Sequence, residues 1–171
     1  SELMFNSHHV REGVKMFKRR VFFNGFKKFS GNDKEICKQV VKQCFNGTYF
    51  QTSLGHFNIF YIRDFAFCVE SLIKLGYAIE VCKTVEYALH CYATSKKLTT
   101  TISSDGKPFD VFNYAVDSLP LLFHSLFILE KYQPGKGNEF VEIYKPWLEF
   151  EIKKFFECVV DPSTGLVKKG T

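Results

Sequence analysis

Two adjacent charges, Arg63 and Asp64, lie inside the otherwise apolar and aromatic stretch from Thr52 to Gly76. Burying a charge is costly unless it is paired or faces a ligand. Apolar residues recur at helical spacing from Asp64 onward, so the sequence predicts a loop, an extended aromatic lead-in over Ile59–Ile62, and then a helix that stops at Gly76. The two charges are therefore expected at a helix N-terminus, beside a cleft where they can contact a ligand.

The same two residues also have a purely structural interpretation. Asp64 can cap the helix by accepting backbone N–H bonds at its positive end, and Arg63 can be a solvent-exposed cation. The residue types alone leave both interpretations open, so other parts of the chain must distinguish them.

A third charged residue, Asp117, also stands before an apolar run. Either Asp117 or the adjacent Ser118 can cap a helix that carries Pro120 in its first turn. Residues Leu119–Leu129 are apolar nearly all round, so this helix is expected to be buried on all sides, with His124 as a core histidine. Long, aromatic and irregular linkers precede both Arg63 and Asp117.

Further helices are predicted from apolar spacing, with Gly, Asn and Pro marking the turns between them. Ala78–Ala93 has one unbroken apolar stripe and is expected to bury one side only. Lys34–Phe45 and Phe140–Val160 follow the same period, with Pro146 kinking or restarting the second helix. The predicted fold is therefore all-α, built from helical hairpins.

Three segments, in this order, resemble elements of the six-hairpin glycosidases, the (α/α)6-barrel enzymes related to glucoamylases and debranching-enzyme glucosidases. Tyr61-Ile62-Arg63-Asp64 is similar to their aromatic-x-Arg-Asp motif, with Tyr in place of the usual Trp. Tyr114-Ala115-Val116-Asp117-Ser118 is similar to their Tyr-x-x-Asp-(Ala/Ser) element. Asp161–Val167 resembles the loop before the segment that carries the general acid. The resemblance covers about residues 30–170.

The resemblance implies an α-glucan or related oligosaccharide as substrate, held through its hydroxyl groups. It assigns the sugar contacts to Arg63 and Asp64, places Asp117 nearby, and lets Tyr61 and His56 shape the pocket. The implied fold is part, about half, of an (α/α)6 toroid. It divides the chain into a basic N-terminal arm over residues 1–29 and a partial toroid domain over residues 30–171.

Glycoside hydrolysis needs two carboxylates across the cleaved bond. By the resemblance, the general acid and the general base are both expected after Thr171, so no catalytic residue is expected within the chain. We therefore expect a fragment of a glycosidase that is inactive alone. Its exposed helix faces should associate with a second copy or with the missing half of the toroid.

The net charge of +5 is concentrated near the N-terminus, where residues 11–28 alone carry +6. A basic, Phe-containing arm can bind nucleic acid, but no nucleic-acid-binding motif supports this, and a solvated or ion-paired face is the commoner outcome. Within this arm His8–Lys18 is expected to form a short helix and Arg20–Phe23 has β propensity. A helical interaction module without chemistry is the remaining alternative, although no fixed-period repeat is visible.

The six cysteines show no CxxC pair and no zinc-ligand spacing with histidine. We therefore expect free thiols, and we expect neither a bound metal nor a cofactor. No apolar run approaches the roughly 20 residues of a membrane span, and no signal peptide is visible. A cytoplasmic location is therefore expected, with no membrane partner.

Overall fold

The structure is a computed structural model that describes residues 7–22, 28–110 and 115–168. This part of the chain is mostly helical, with six helices and a small three-stranded sheet. The elements in chain order are α1 (Ser7–Phe22), α2 (Asp33–Cys44), β1 (Phe60–Tyr61), α3 (Ile62–Lys74), α4 (Ala78–Ser95), β2 (Thr101–Ile102), β3 (Pro108–Phe109), α5 (Ser118–Tyr132) and α6 (Lys136–Val159).

Two helical hairpins lie side by side. The short segment 75–77 joins α3 to α4, and residues 133–135 join α5 to α6. Gly76 and Gly135 have φ angles of +96° and +92°, which glycine adopts without steric strain. Helix α5 packs against α3, α6 and α4, and α4 also contacts α6. Because the first residues of α3 and α5 meet, these two helices run parallel, and α4 and α6 return antiparallel to them.

The sheet lies at the end of the bundle where α3 and α5 begin. Strand β1 leads directly into α3, whereas β2 and β3 belong to the connection from α4 to α5. The strands are antiparallel in the order β1-β2-β3, with Phe60 opposite Ile102 and Thr101 opposite Phe109. The backbone N–H of Ile62 also donates to the carbonyl of Thr100 at 3.1 Å. The start of α3 is thus joined to the linker that precedes α5.

A continuous apolar core fills the space between the hairpins. Val69 of α3, Leu89 of α4 and Leu129 of α5 have no measurable exposure. Leu148 of α6 is also buried, and Phe60 extends the core into the sheet. Burial of this apolar surface is the main term that favours folding.

The observed helices confirm the predictions made from apolar spacing, with small shifts at their ends. Helix α2 begins with a capping box, in which Asn32 and Glu35 each accept a hydrogen bond from the other's backbone N–H. Helix α6 continues through Pro146, which is exposed. Three parts of these predictions lie outside the described residues: Tyr114, Phe23 of the segment with β propensity, and residues 169–171 of the expected toroid domain.

Three expectations are corrected by the structure. The chain contains a small sheet beside its helices, because the extended segments around Ile59–Ile62 and Leu98–Ile102 pair with each other. Helix α1 continues to Phe22, so the described part of Arg20–Phe23 is helical in spite of its β propensity. Helix α5 is not buried on all sides: His124 is exposed and Phe127 is 66% exposed, because the packed helices cover only part of its circumference.

Candidate functional site

Arg63 and Asp117, which are 54 positions apart in sequence, form an ion pair across the starts of α3 and α5. The Nε of Arg63 donates to Asp117 Oδ2 at 2.7 Å, and its Nη2 lies 2.6 Å from the same oxygen. Two nitrogens of the single guanidinium group therefore converge on one carboxylate oxygen. The parallel packing of α3 and α5 brings the two residues together.

This ion pair remains open to a ligand. The side chains of Arg63 and Asp117 are 60% and 37% exposed. Asp117 is the N-cap residue of α5 by backbone position, yet its side chain makes no capping hydrogen bond. Arginine has five N–H donors, and a carboxylate has two oxygens that each accept more than one bond. Donors on Arg63 and acceptor capacity on Asp117 are thus left for hydroxyl groups.

Asp64 does not face the ion pair. It is the third residue of α3, whose N-cap is Tyr61, so Asp64 does not cap the helix. Consecutive helical residues project about 100° apart around the axis. Asp64 accordingly lines a cavity between α2 and α3, together with Phe65 and Cys68. The structure therefore places Arg63 and Asp64 on different sides of α3.

Aromatic rings flank the chain just before the ion pair. Phe57 makes edge contacts with both His56 and Tyr61, at ring-centroid distances of 4.6 and 5.9 Å. The loop is held by Ser53, whose Oγ accepts a hydrogen bond from the backbone N–H of Phe57 at 3.1 Å. His56 Nδ1 is buried and has no hydrogen-bond partner within the described part of the chain. Both proposed pocket residues, Tyr61 and His56, thus belong to one aromatic cluster next to α3.

The other end of the α3–α5 contact carries a second polar cluster, which no pattern in the sequence predicts. Glu70 Oε1 accepts hydrogen bonds from the hydroxyl of Tyr132 at 2.6 Å and from Lys131 Nζ at 3.1 Å, and Lys74 Nζ lies at 3.3 Å. These contacts, the Tyr132 bond foremost, lower the pKa of Glu70 to about 2. The cluster ties the C-terminal turns of α3 and α5 together.

Two phenylalanines are exposed between the polar clusters. Phe67 of α3 is 74% exposed and Phe127 of α5 is 66% exposed. Phe67 lies one turn after Arg63 on the same side of its helix, since residues four apart are neighbours on a helix surface. We call the surface that carries Phe67 and Phe127 the α3–α5 face.

The basic arm is helical over Ser7–Phe22 and contacts the rest of the protein. Arg11 Nη2 donates to Asp105 Oδ2 at 2.6 Å, in the turn between β2 and β3. Lys15 Nζ donates to the buried Glu12 at 2.6 Å. At least two basic side chains of this arm, Arg11 and Lys15, are thus engaged in ion pairs.

All six cysteines are free thiols in the structure. The described residues contain no group of three or more His, Cys, Asp or Glu side chains arranged to hold a metal ion. None of the helices described is both long and apolar enough to cross a membrane.

Comparison of the chain with protein-family profiles, with curated proteins and with solved structures finds no match.

Proposed function

We propose that this chain is the substrate-binding part of a glycoside hydrolase that acts on an α-glucan or a related oligosaccharide. The observation that carries the proposal is the Arg63–Asp117 ion pair, solvent-accessible and placed where two parallel helices begin. The sugar-binding residues of the proposal are Arg63 and Asp117, flanked by Tyr61 and His56. Asp64 is left out because it faces the cavity on the α2 side.

The chemistry of the ion pair suits a sugar with neighbouring hydroxyl groups. Each hydroxyl can accept from a remaining Arg63 N–H and donate to the Asp117 carboxylate. Hydrogen bonds to charged groups are stronger than those between neutral groups. The paired charges neutralise each other, which favours a neutral polyhydroxyl ligand over an ion. The aromatic side chains next to α3 can pack against the C–H face of a pyranose ring.

The arrangement of the hairpins supports the proposed family. In a six-hairpin toroid the inner helices are parallel neighbours, and their starts form the rim of the active site. Helices α3 and α5 are parallel neighbours with the linker sheet at their starts, and α4 and α6 pack as the returning helices. Under this proposal α3 and α5 are inner helices, and the exposed Phe67 and Phe127 face the position of further hairpins.

The experiment is calorimetric titration of the 171-residue chain with maltotriose, and with cellotriose as the β-linked control. We expect saturable binding of maltotriose. Arg63→Ala and Asp117→Ala should each weaken it by about 10-fold or more, the value of a hydrogen bond to a charged group. The fold should survive, because an exposed ion pair contributes less than about 1 kcal/mol.

Lys136→Ala is the matched control, since it removes an equally exposed ion pair, to Glu139, on α6. It should leave maltotriose binding unchanged. The unmodified chain is titrated up to about 20 mM sugar, where even an affinity far weaker than that of ordinary recognition would be detected. If no saturable binding is seen, the proposal is contradicted. Equal binding of cellotriose would contradict the α-glucan assignment alone. Glucose release from maltotriose should be nil, because both catalytic carboxylates are proposed to lie outside this chain.

A further inference from the structure

A cavity of about 200 Å³ lies between α2 and α3, on a different side of α3 from the ion pair. Its floor is formed by buried apolar side chains, among them Cys44, Phe50, Phe65 and Leu72. Typical pockets for drug-sized ligands measure about 300–1,000 Å³, so this cavity fits a smaller molecule. The exposed residues Asp64 and Cys68 mark its opening to solvent.

The polar groups at the opening are mainly acceptors. Asp64 supplies a carboxylate and is the single charged residue among the described residues that line the cavity. The amide of Gln51 is fixed because its Nε2 donates to the carbonyl of Asn58 at 2.7 Å, which leaves its Oε1 as an acceptor. Thr52 adds a hydroxyl, and its backbone is held by a 3.0 Å bond to Ile59 O.

We propose that this cavity binds a small organic ammonium, with its apolar body on the Phe50 and Phe65 floor and its charged nitrogen at Asp64. Three features of the cavity select this chemistry. The apolar floor favours a hydrocarbon body. The carboxylate and the Gln51 carbonyl require hydrogen-bond donors from the ligand. The aromatic rings in the lining add a favourable interaction with a cation.

Other ligand classes fit the cavity less well. An anion would be repelled by Asp64, and no basic side chain among the described lining residues would compensate it. A metal ion needs several oxygen, nitrogen or sulfur ligands, whereas this lining is predominantly apolar. A sugar would leave most of its hydroxyl groups without partners against the apolar floor, which is unfavourable. The site is therefore separate from the proposed sugar site in both position and chemistry.

Benzylamine, which is cationic at neutral pH, and the uncharged benzyl alcohol are suitable probes, because they share one apolar body. Binding is measured by NMR titration of the full chain at low ionic strength. Benzylammonium should bind more tightly than benzyl alcohol by up to about 5-fold, since an exposed charge pair contributes up to about 1 kcal/mol. Added salt should weaken the binding of benzylammonium and not that of benzyl alcohol, since salt screens exposed charges.

Two variants and one control locate the site. Asp64→Asn should reduce benzylammonium affinity to that of benzyl alcohol, and Val41→Phe should reduce the binding of both probes by filling the cavity. Glu80→Gln is the control, because Glu80 is likewise the third residue of its helix and does not line the cavity.

Equal binding of the two probes to the unmodified chain, or unchanged benzylammonium binding in Asp64→Asn, would overturn the proposal. So would the absence of saturable binding. Asp64→Asn should leave maltotriose binding unchanged. Failure of the ammonium-site proposal can therefore be distinguished from failure of the sugar-site proposal.

Discussion

The rings of Tyr92 and Trp147 stack with their centroids 6.3 Å apart and an interplanar angle of 16°, joining α4 to α6. Tyr92 is fully buried, and its hydroxyl donates to the carbonyl of Thr99 at 2.9 Å in the linker before β2. This residue therefore connects the two returning helices to the segment that enters the sheet. Burial raises the pKa of Tyr92 well above its usual value, so the hydroxyl remains a donor at all physiological pH values.

Trp147→Ala should destabilise the protein by about 2–4 kcal/mol, because it removes a large ring from a packed contact. Tyr92→Phe should cost about 1 kcal/mol, since it deletes one hydrogen bond and leaves the Thr99 carbonyl without this donor. Urea unfolding followed by circular dichroism measures both values. Trp147→Phe is the control and should cost less than Trp147→Ala, because Trp147 Nε1 has no hydrogen-bond partner within the described residues. A larger loss for Trp147→Phe than for Trp147→Ala would contradict the packing explanation.

A buried carboxyl group, Glu151, should make stability depend on pH. Its exposure is 1%, neither of its oxygens has a hydrogen-bond partner in the described part of the chain, and the nearest cation, Lys154 Nζ, lies 3.6 Å away. Burial raises the pKa of Glu151 above its ordinary value of 4.5, and the nearby Lys154 offsets only part of this rise. A group whose folded-state pKa is raised stabilises the fold fully below its unfolded pKa, and this contribution is lost as the pH rises through the folded value.

Glu151→Gln should therefore stabilise the protein at pH 8 relative to the unmodified chain, and this advantage should disappear at about pH 4. Thermal unfolding at a series of pH values measures the difference. Glu149→Gln, on the exposed side of the same helix, should show no such trend. A Glu151→Gln variant that loses stability equally at every pH would show that the carboxyl group is not protonated preferentially in the folded state.

The α3–α5 face predicts self-association. Exposed apolar surface of this kind marks an interface, and two uncharged rings are exposed between clusters whose charges are already paired. We expect light scattering to show a species larger than the 19.8 kDa monomer. The double variant Phe67→Ser/Phe127→Ser should be monomeric. Phe150→Ser, which removes a 55% exposed ring from α6, is the control and should still associate. A monomeric unmodified chain would contradict the prediction.

The helices could be predicted from the sequence because their information is local. Each signal lies within or next to the helix that it defines. Examples are the apolar period of Ala78–Ala93, the capping residues before α2 and the glycine after α3. The small sheet is different. Its strands are two residues long, and β1 pairs with a segment about 40 positions away, so no local pattern specifies the register. Extended conformation could be predicted there, but pairing could not.

The candidate site was predictable only in part for the same reason. The residue types of Arg63 and Asp117 single them out, but their contact depends on the packing of α3 against α5. The separation of Asp64 from Arg63 follows only once both residues are known to lie within α3, because consecutive helical residues project about 100° apart. The apolar spacing began the helix at Asp64 and left Arg63 outside it. The exposure of Phe127 could not be predicted, because an apolar sequence indicates only that a side chain favours burial. It does not show how many neighbouring helices are present to cover that side chain.

The difference between the two ends of the hairpins has a practical consequence for handling the protein. One end carries the sheet and the ion pair, whereas the other carries the Glu70 cluster and the short turns that contain Gly76 and Gly135. Helix α3 has 13 residues, so these turns lie about 20 Å from Arg63. A surface-attachment tag placed in the Gly76 turn would orient the ligand-facing end toward solution. That turn is therefore a suitable attachment site for binding measurements on immobilised protein.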